Sequence, residues 1–285
     1  MKKRIAVYYE SRFRNSGPPL YAFNVLKTQM DDKYEVVHLI PNGDVAEFGR
    51  FDLNLWVDWG EDALMPNLPY KPMECPKPNA YWVSDTHLGY EYRLSKAREF
   101  DYVFCAQERA VKEFKRDGIK NCFWLPHAVE PKAYPAKEVM KKFDICFIGH
   151  IPGEKRSQAL DRLFREFPNF FYSTGRYFEE AADIFHQSKI VFNQAIKDDL
   201  NMRTYEAMAT GSMLLTDRIP TIENFFEDKK HLVLYDNLDD MVEKARYYID
   251  HDEERELIAK AGMKETLAKH TYKHRMLELL KIIKF

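Results

Sequence analysis

The chain has few of the features that mark several common classes of protein. It holds only four cysteines among 285 residues, and none are spaced as C-x-x-C, so neither a disulfide framework nor a cysteine zinc site is predicted. No apolar run approaches the 18 residues of a membrane span. The short apolar run after Met1–Arg4 ends at Tyr9, which is too short for a signal peptide. We therefore expect a cytoplasmic protein with reduced thiols.

An excess of charge of either sign is also missing. The formal net charge is -2, and no run of lysines or arginines is present, so the sequence gives no reason to expect a nucleic-acid partner. An apolar fraction of 45% and a charged fraction of 31% are ordinary for a globular protein. The length favours two domains or one large one.

Several catalytic and nucleotide-binding motifs are absent from the sequence. It contains no G-x-G-x-x-G, P-loop, G-x-S-x-G or H-E-x-x-H motif. The one Asp-x-Asp, Asp250–Asp252, lies between two predicted helices, where it is typical of a polar helix junction rather than a clamp for a metal–nucleotide complex. We therefore expect no metal site and no resident cofactor.

Short apolar runs alternate with amphipathic segments along most of the chain. Strands are predicted at residues 4–9, 34–39, 53–57, 79–84, 101–106, 121–125, 143–148, 170–172, 190–193, 213–216 and 232–235. Helices are predicted at residues 20–30, 90–100, 107–117, 156–167, 177–187, 201–210, 221–225, 238–249, 253–269 and 272–283. This alternation indicates the α/β class, with parallel sheets covered by helices on both faces.

A proline-containing stretch without clear periodicity interrupts the alternation at residues 126–142. We therefore predict an N-terminal Rossmann-like domain over residues 1–127, a hinge over 128–142 and a C-terminal Rossmann-like domain over 143–270. The two sheets should face a cleft, and ligands should bind beyond the carboxyl ends of the strands. The tail 271–285 is basic and amphipathic; packing on the protein body is favoured, and contact with a membrane surface is the alternative.

The segment from Asp198 to Gly211 has the pattern of a helix that opens onto a ligand site. Asn201 is a good N-cap, and Arg203 and Glu206 stand at i and i+3 on one face near the helix start. Gly211 fits the position that closes a helix. A cation and a carboxylate beside the free N–H groups of a helix suit a phosphorylated ligand. A capped surface helix with an exposed ion pair is the competing interpretation.

A second candidate loop, Gly149 to Arg156, directly follows a predicted strand. Gly149 permits a tight exit from the strand, and Lys155 and Arg156 open the next helix. Cations at a helix N-terminus oppose the helix dipole, so a bound diphosphate would explain them better than stability does. A solvated basic turn is the alternative.

Two further candidate loops follow strands of the first domain. Asp85 and His87 stand at the end of one strand, where the histidine would contact a substrate or be an ordinary loop residue. Arg14, Ser16 and Gly17 belong to a polar loop, residues 11–19, where a cleft wall is expected.

Taken together, these residues resemble a known family. Residues 201–211 (NMRTYEAMATG) and 214–217 (LLTD) resemble the C-domain signature of group 1 glycosyltransferases, closest to the CgeB-like or spore-maturation-like subset. Residues 147–149 with Lys155 and Arg156 resemble that family's strand–glycine–basic loop, and residues 125–130 (LPHAVE) its hinge motif. The resemblance is strong over residues 144–275 and weak over 1–80.

The resemblance implies a GT-B fold, in which the second domain holds a nucleoside-diphosphate sugar and the first holds the acceptor. The last helix would return to the N-terminal domain. The implied activity is a metal-independent, retaining glycosyl transfer to a glycan, lipid or protein, with the nucleotide sugar as co-substrate and no cofactor. A non-catalytic nucleotide-sugar or glycan-binding protein and a sugar-nucleotide epimerase are the alternatives on the same fold.

Carried over by position, the family's donor-binding roles fall on the second domain. Glu206 would accept hydrogen bonds from the ribose hydroxyls, and Arg203, Lys155 and Arg156 would face the pyrophosphate. Gly149 would let the backbone approach the phosphates, with Asn201 completing the donor site.

The catalytic roles implied by the resemblance fall on Asp198 and His87. Asp198 stands where the family has the first of two glutamates, eight positions before Glu206, and its side chain is one methylene shorter. His87 stands where relatives place a histidine near the sugar. Asp85 and the loop with Arg14, Ser16 and Gly17 would contact the acceptor.

Overall fold

The protein is described by a computed structural model. It describes residues 2–9, 17–40, 50–58, 76–151, 153–197 and 199–285. The chain forms two compact units: the first comprises Met1–His127 with Tyr272–Phe285, and the second comprises Ala128–Thr271.

The first unit is built on a parallel sheet of six described strands in the order β2-β1-β3-β4-β5-β6. Its strands are β1 (Lys3–Tyr8), β2 (Tyr34–Leu39), β3 (Leu53–Asp58), β4 (Asn79–Val83), β5 (Tyr102–Cys105) and β6 (Cys122–Trp124). Its helices include α1 (Pro18–Gln29), α2 (Tyr90–Ala97) and α3 (Glu108–Arg116). The central strands β3 and β4 are buried at every position, as expected for a parallel sheet covered on both faces.

The second unit has a parallel sheet of five described strands in the order β11-β10-β9-β7-β8. Its strands are β7 (Phe143–Ile148), β8 (Phe170–Ser173), β9 (Ser188–Asn193), β10 (Met213–Asp217) and β11 (Val233–Tyr235). Its helices include α4 (Glu154–Glu166), α5 (Glu179–His186), α6 (Met202–Ala209), α7 (Leu238–Asp250) and α8 (Asp252–Lys269). Apolar side chains from β7, β9 and β10 form its core with those of α4, α7 and α8.

The last helix, α9 (Tyr272–Ile283), packs in the first unit against α1. The ring of Tyr272 lies 5.0 Å from that of Tyr21 and 6.0 Å from that of Trp82. Arg275 donates a hydrogen bond from Nε to the carbonyl of Pro126 at 2.9 Å. The apolar face of this amphipathic tail is therefore covered by protein.

The predicted α/β class, with two parallel sheets, is confirmed. One predicted helix, residues 221–225, is only a short 3-10 turn at Ile222–Asn224. Five residues add too few hydrogen bonds to offset the cost of starting an α-helix, so packing decides their conformation. Across the described ranges, none of the helices combines the length and the apolar character that crossing a bilayer requires.

Candidate functional site

The candidate donor site lies at the carboxyl edge of the second unit's sheet. It is formed by the loops that follow β7 and β9 and by the first turn of α6. In a parallel sheet this edge is where ligands bind, because the loops there lead into helix N-termini that present unpaired N–H groups.

The first turn of α6 is capped by its own sequence. Asn201 is the N-cap, and its side-chain oxygen accepts a hydrogen bond from the backbone N–H of Thr204 at 3.4 Å. No acidic residue stands in the first turn, so the positive end of the helix dipole is not neutralised there. At the other end, Gly211 adopts φ of 78°, as its predicted role in closing the helix requires.

Arg203 is held in place from three sides. Its Nη1 donates a hydrogen bond to Oδ1 of Asn193 at 2.9 Å, and its guanidinium carbon lies 4.6 Å from the centre of the Phe147 ring. Gly149, with φ of +150°, lies against the third side, where a Cβ atom would stand 2.2 Å from Nη2 of Arg203. A side chain at position 149 would therefore displace the guanidinium from the place it occupies beside β7.

Glu206 lies one turn further along α6 and is half-buried. It accepts a hydrogen bond from the hydroxyl of Tyr134 and lies in the field of Arg203. Burial nevertheless dominates and raises the pKa of Glu206 to about 7. The carboxyl group is thus poised between its neutral and charged forms near neutral pH, and a partner that donates hydrogen bonds would favour the charged form.

Lys155 and Arg156 occupy different environments at the start of α4. Lys155 is exposed. Arg156 is buried, and it donates hydrogen bonds to the carbonyls of His150, at 3.0 Å, and Gln194. Burial, with the nearby charge of Arg203, lowers the pKa of Arg156 to about 10. Arg156 therefore belongs to the wall of the site, whereas Lys155 is accessible to a ligand.

Two polar residues of the site were not among those predicted from the sequence. Asn193 ends β9 and links Arg203 and Asn201 through its amide oxygen. Asp217 ends β10, accepts a hydrogen bond from the backbone N–H of Ala195 at 2.7 Å, and has a pKa raised by burial. The only signal in the sequence is that each is a polar residue at the end of an apolar strand.

The first unit places Asp85 and His87 in the loop that follows β4. Asp85 has φ of 48°, and its carbonyl accepts a hydrogen bond from Leu88 in a tight turn at 2.8 Å. His87 is half-buried. The charge of Asp85 also acts on His127, whose pKa burial lowers to about 4.

Of the remaining predicted site residues, one lies in the first unit and three lie outside the residues that the structure describes. Gly17 precedes α1 with φ of 99°, and its carbonyl accepts a hydrogen bond from Tyr21 at 3.1 Å. Arg14, Ser16 and Asp198 lie outside the described residues. In the part of the chain that the structure describes, no three histidine, cysteine, aspartate or glutamate side chains are grouped to hold a metal ion.

Comparison with known families identifies the family to which the chain belongs. A family model described as "Glycosyl transferase-like" matches residues 137–281, about half of the chain, including β7 to β11 and α6. The chain therefore belongs to this glycosyltransferase family, and the resemblance seen in its motifs is confirmed.

Individual relatives agree with this assignment. Spore protein CgeB of Bacillus subtilis (strain 168) is 23% identical over 228 residues, which cover 67% of this chain and 70% of CgeB. HepE of Anabaena, solved in complex with UDP and glucose, superposes with a TM-score of 0.71 at 9% identity over 99% of each chain. A DNA-modifying β-glucosyltransferase superposes with a TM-score of 0.69 at 13% identity, over 99% of this chain and 100% of that one. At such low identities the structural matches show the fold alone, and that fold is GT-B.

Proposed function

We propose that the protein transfers a sugar from a nucleoside-diphosphate sugar to an acceptor, and that UDP is the leaving group. The observation that carries this proposal is the fixed position of Arg203 at the N-terminus of α6, with Glu206 one turn away. A cation beside free helix N–H groups suits a diphosphate, and a carboxylate suits a pair of ribose hydroxyls. UDP is the first candidate because HepE, which has the same fold, was solved with UDP and glucose.

Within this proposal the charged residues have separate roles. Glu206 accepts hydrogen bonds from the ribose, and Arg203 with the α6 N-terminus binds the diphosphate. Lys155, exposed at the start of α4, binds the same phosphates from the connection that follows the neighbouring strand β7. These groups stabilise the negative charge that develops on the departing diphosphate, the main electrostatic requirement of the transfer.

We further propose that the transfer retains anomeric configuration and needs no metal. Front-face displacement requires orientation of the two substrates and neutralisation of the leaving group. Metal independence is supported by the chain's own cations, which are available to neutralise the leaving group. The acceptor, a glycan, lipid or protein, would contact Gly17, Asp85 and His87 of the first unit. The described cysteines, Cys105, Cys122 and Cys146, are free thiols, which supports a cytoplasmic location.

Thermal unfolding with UDP, GDP, dTDP, ADP and CDP tests the proposal. A ligand at a hundred times its dissociation constant stabilises the folded protein by about 2.7 kcal/mol. We expect such stabilisation of the wild type by UDP, and its loss in Glu206→Ala, which removes the ribose acceptor. Stabilisation by none of the five diphosphates would contradict the proposal.

A non-catalytic binding protein on the same fold is the second candidate. It is favoured by the aspartate at position 198, where the related transferases have a glutamate. A test for sugar release from the bound donor, with and without acceptors, separates the two. A protein that binds the donor but neither transfers nor hydrolyses it would be the binder.

A further inference from the structure

Asn193 connects the two residues that begin the donor site. It is the last residue of β9, and its side chain is almost completely buried, with 1% of the residue exposed. Its Oδ1 accepts hydrogen bonds from Nη1 of Arg203 at 2.9 Å and from Nδ2 of Asn201 at 3.1 Å. Its own amide group donates to Oγ1 of Thr216 on the neighbouring strand at 3.1 Å. Both functional groups of the amide are therefore satisfied inside the protein.

The bond from Asn193 fixes Arg203 while leaving most of its donors unused. A guanidinium has five N–H groups. Among the residues that the structure describes, only Asn193 accepts a hydrogen bond from Arg203. The Phe147 ring and Gly149 restrict the same guanidinium without accepting hydrogen bonds. Arg203 is thus ordered before a ligand arrives, and ordering a long side chain in advance lowers the entropy cost of binding.

The same oxygen also sets the start of α6. Asn201 uses its Oδ1 to cap the helix and its Nδ2 to reach Asn193, so its amide is held in one orientation. Losing Asn193 would therefore release the arginine and loosen the helix N-terminus together. These are the two groups to which the proposed function assigns the diphosphate.

We propose that Asn193 is a positioning residue for the donor diphosphate, acting through Arg203 and Asn201 without touching the ligand. This inference rests on the proposed function. It predicts that Asn193 matters mainly for the phosphates, because among the described residues it reaches Glu206, one turn further along α6, only through the field of Arg203. A residue that served only the stability of the fold would affect both parts of the ligand alike.

The test compares the affinities of UDP and uridine by isothermal titration calorimetry. Asn193→Leu has nearly the same shape but no acceptor, and Asn193→Ser is a smaller variant whose hydroxyl cannot reach both partners. We expect the dissociation constant of UDP to rise about 10- to 100-fold in both variants, as for loss of a charged hydrogen-bonding group. The dissociation constant of uridine should change by less than about twofold.

Thr216→Val is the matched control. It removes the hydroxyl that accepts from Asn193 Nδ2 and that donates to Oδ1 of Asp217 at 3.3 Å, but it leaves the bonds from Arg203 and Asn201 to Asn193 in place. Its ratio of UDP to uridine affinity should equal that of the wild type. In an Arg203→Met background, Asn193→Leu should cause little further loss of UDP affinity, because its main effect passes through the arginine.

The possible results separate this inference from the proposed function. A wild type that binds UDP no better than uridine overturns both. A wild type that prefers UDP, with variants that keep the same preference or weaken both ligands equally, overturns only the role of Asn193. Full additivity with Arg203→Met, or loss of cooperative unfolding in both Asn193 variants, would likewise make Asn193 a structural residue.

Discussion

At the scale of single residues, the proposed donor site places two positive charges on one aromatic ring. The guanidinium carbons of Arg203 and Arg156 lie 4.6 and 5.5 Å from the centre of the Phe147 ring. Two cations this close repel each other, and the charge of Arg203 adds to burial in lowering the pKa of Arg156. A dianionic ligand would relieve that repulsion, so we expect part of the affinity for the proposed diphosphate to come from the unfavourable electrostatics of the free protein.

Substitution of Gly149 tests whether the position of Arg203 matters for phosphate binding. In Gly149→Ala the new Cβ would overlap Nη2 of Arg203 and push the flexible guanidinium aside. We expect UDP affinity to fall at least about tenfold, with uridine affinity unchanged, since a charge-assisted contact is lost. Calorimetric titration of both ligands measures this.

Gly153→Ala is the control for backbone strain at the same loop. Gly153 also has a positive φ, 83°, but a Cβ there meets nothing within 4 Å. It should cost about 1 kcal/mol of stability and leave both affinities unchanged. Equal losses of UDP affinity in the two variants would show that loop strain, and not Arg203, controls phosphate binding.

Glu206 should make nucleoside binding depend on pH. Burial raises its pKa to about 7 in the free protein, and ribose hydroxyls favour the ionised form. Binding should therefore tighten as pH rises through 7, with uridine affinity at pH 6 up to about tenfold weaker than at pH 8. Titration calorimetry over this range measures the effect. In Glu206→Gln, which cannot ionise, a profile that still followed the wild type would assign the titration to another group.

The sequence predicts some site residues and misses others for a physical reason. Arg203 and Glu206 share a helix face through a fixed spacing, so their proximity follows from local geometry. Asn193 contacts Thr216 because β9 and β10 pair in a register that puts these residues opposite each other. Strand register depends on residues distant in the chain, and no local spacing encodes it.

At the scale of secondary structure elements, α6 depends on α8, which packs against it. Gly262 lies buried within α8, where a Cβ atom would stand 2.1 Å from the carbonyl oxygen of His231 and 3.3 Å from Sδ of Met208. Met208 belongs to α6, the helix that carries Arg203 and Glu206. The absence of a side chain at Gly262 therefore lets α8 pack closely against α6.

Gly262→Ala should destabilise the protein despite the better helix propensity of alanine. The propensity gain is about 1 kcal/mol, but the clash is with backbone and cannot be relieved by a rotamer change. We expect a net loss of about 2–3 kcal/mol in the free energy of unfolding, measured by denaturant titration. The exposed Lys260→Ala in the same helix should change it by less than about 0.5 kcal/mol. Equal free energies of unfolding for the two variants would show that close packing at Gly262 does not contribute to stability.

Element positions were predictable because hydrophobic periodicity carries most of that information. The strands and long helices begin and end within about three residues of their predicted bounds, since each has a buried face that the sequence pattern records. The 3-10 turn at Ile222–Asn224 was not predictable in this way. A segment of a few residues spans less than two helical turns, which is too short to show a hydrophobic period.

At the scale of the whole molecule, α9 completes the core of the first unit. Tyr272 is fully buried against Tyr21 and Trp82. From the sequence alone this helix shows only an amphipathic pattern, and the residues that cover Tyr272 stand 190 and 251 positions earlier in the chain. That placement came from the family resemblance, because local patterns do not record contacts at such separation.

Tyr272→Ala should destabilise the first unit selectively. Removing a fully buried aromatic ring costs about 3–5 kcal/mol. We expect calorimetric unfolding to show an earlier transition for the first unit, while UDP still stabilises the transition of the second unit as in the wild type. The exposed Lys273→Ala on the same helix should melt like the wild type. A loss of UDP stabilisation in Tyr272→Ala would show that the two units do not unfold separately.

The return of α9 also fixes the order in which the protein can mature on the ribosome. The second unit is continuous in the chain, from Ala128 to Thr271, so all of it has been made before α9 is added. The first unit is synthesised earlier, but α9, which covers Tyr21 and Trp82, is made only after the whole second unit. Domains usually fold in the order of their synthesis. Here part of the core of the N-terminal unit stays uncovered until α9 has been synthesised. We therefore expect a nascent-chain chaperone to bind this unit in preference to the second.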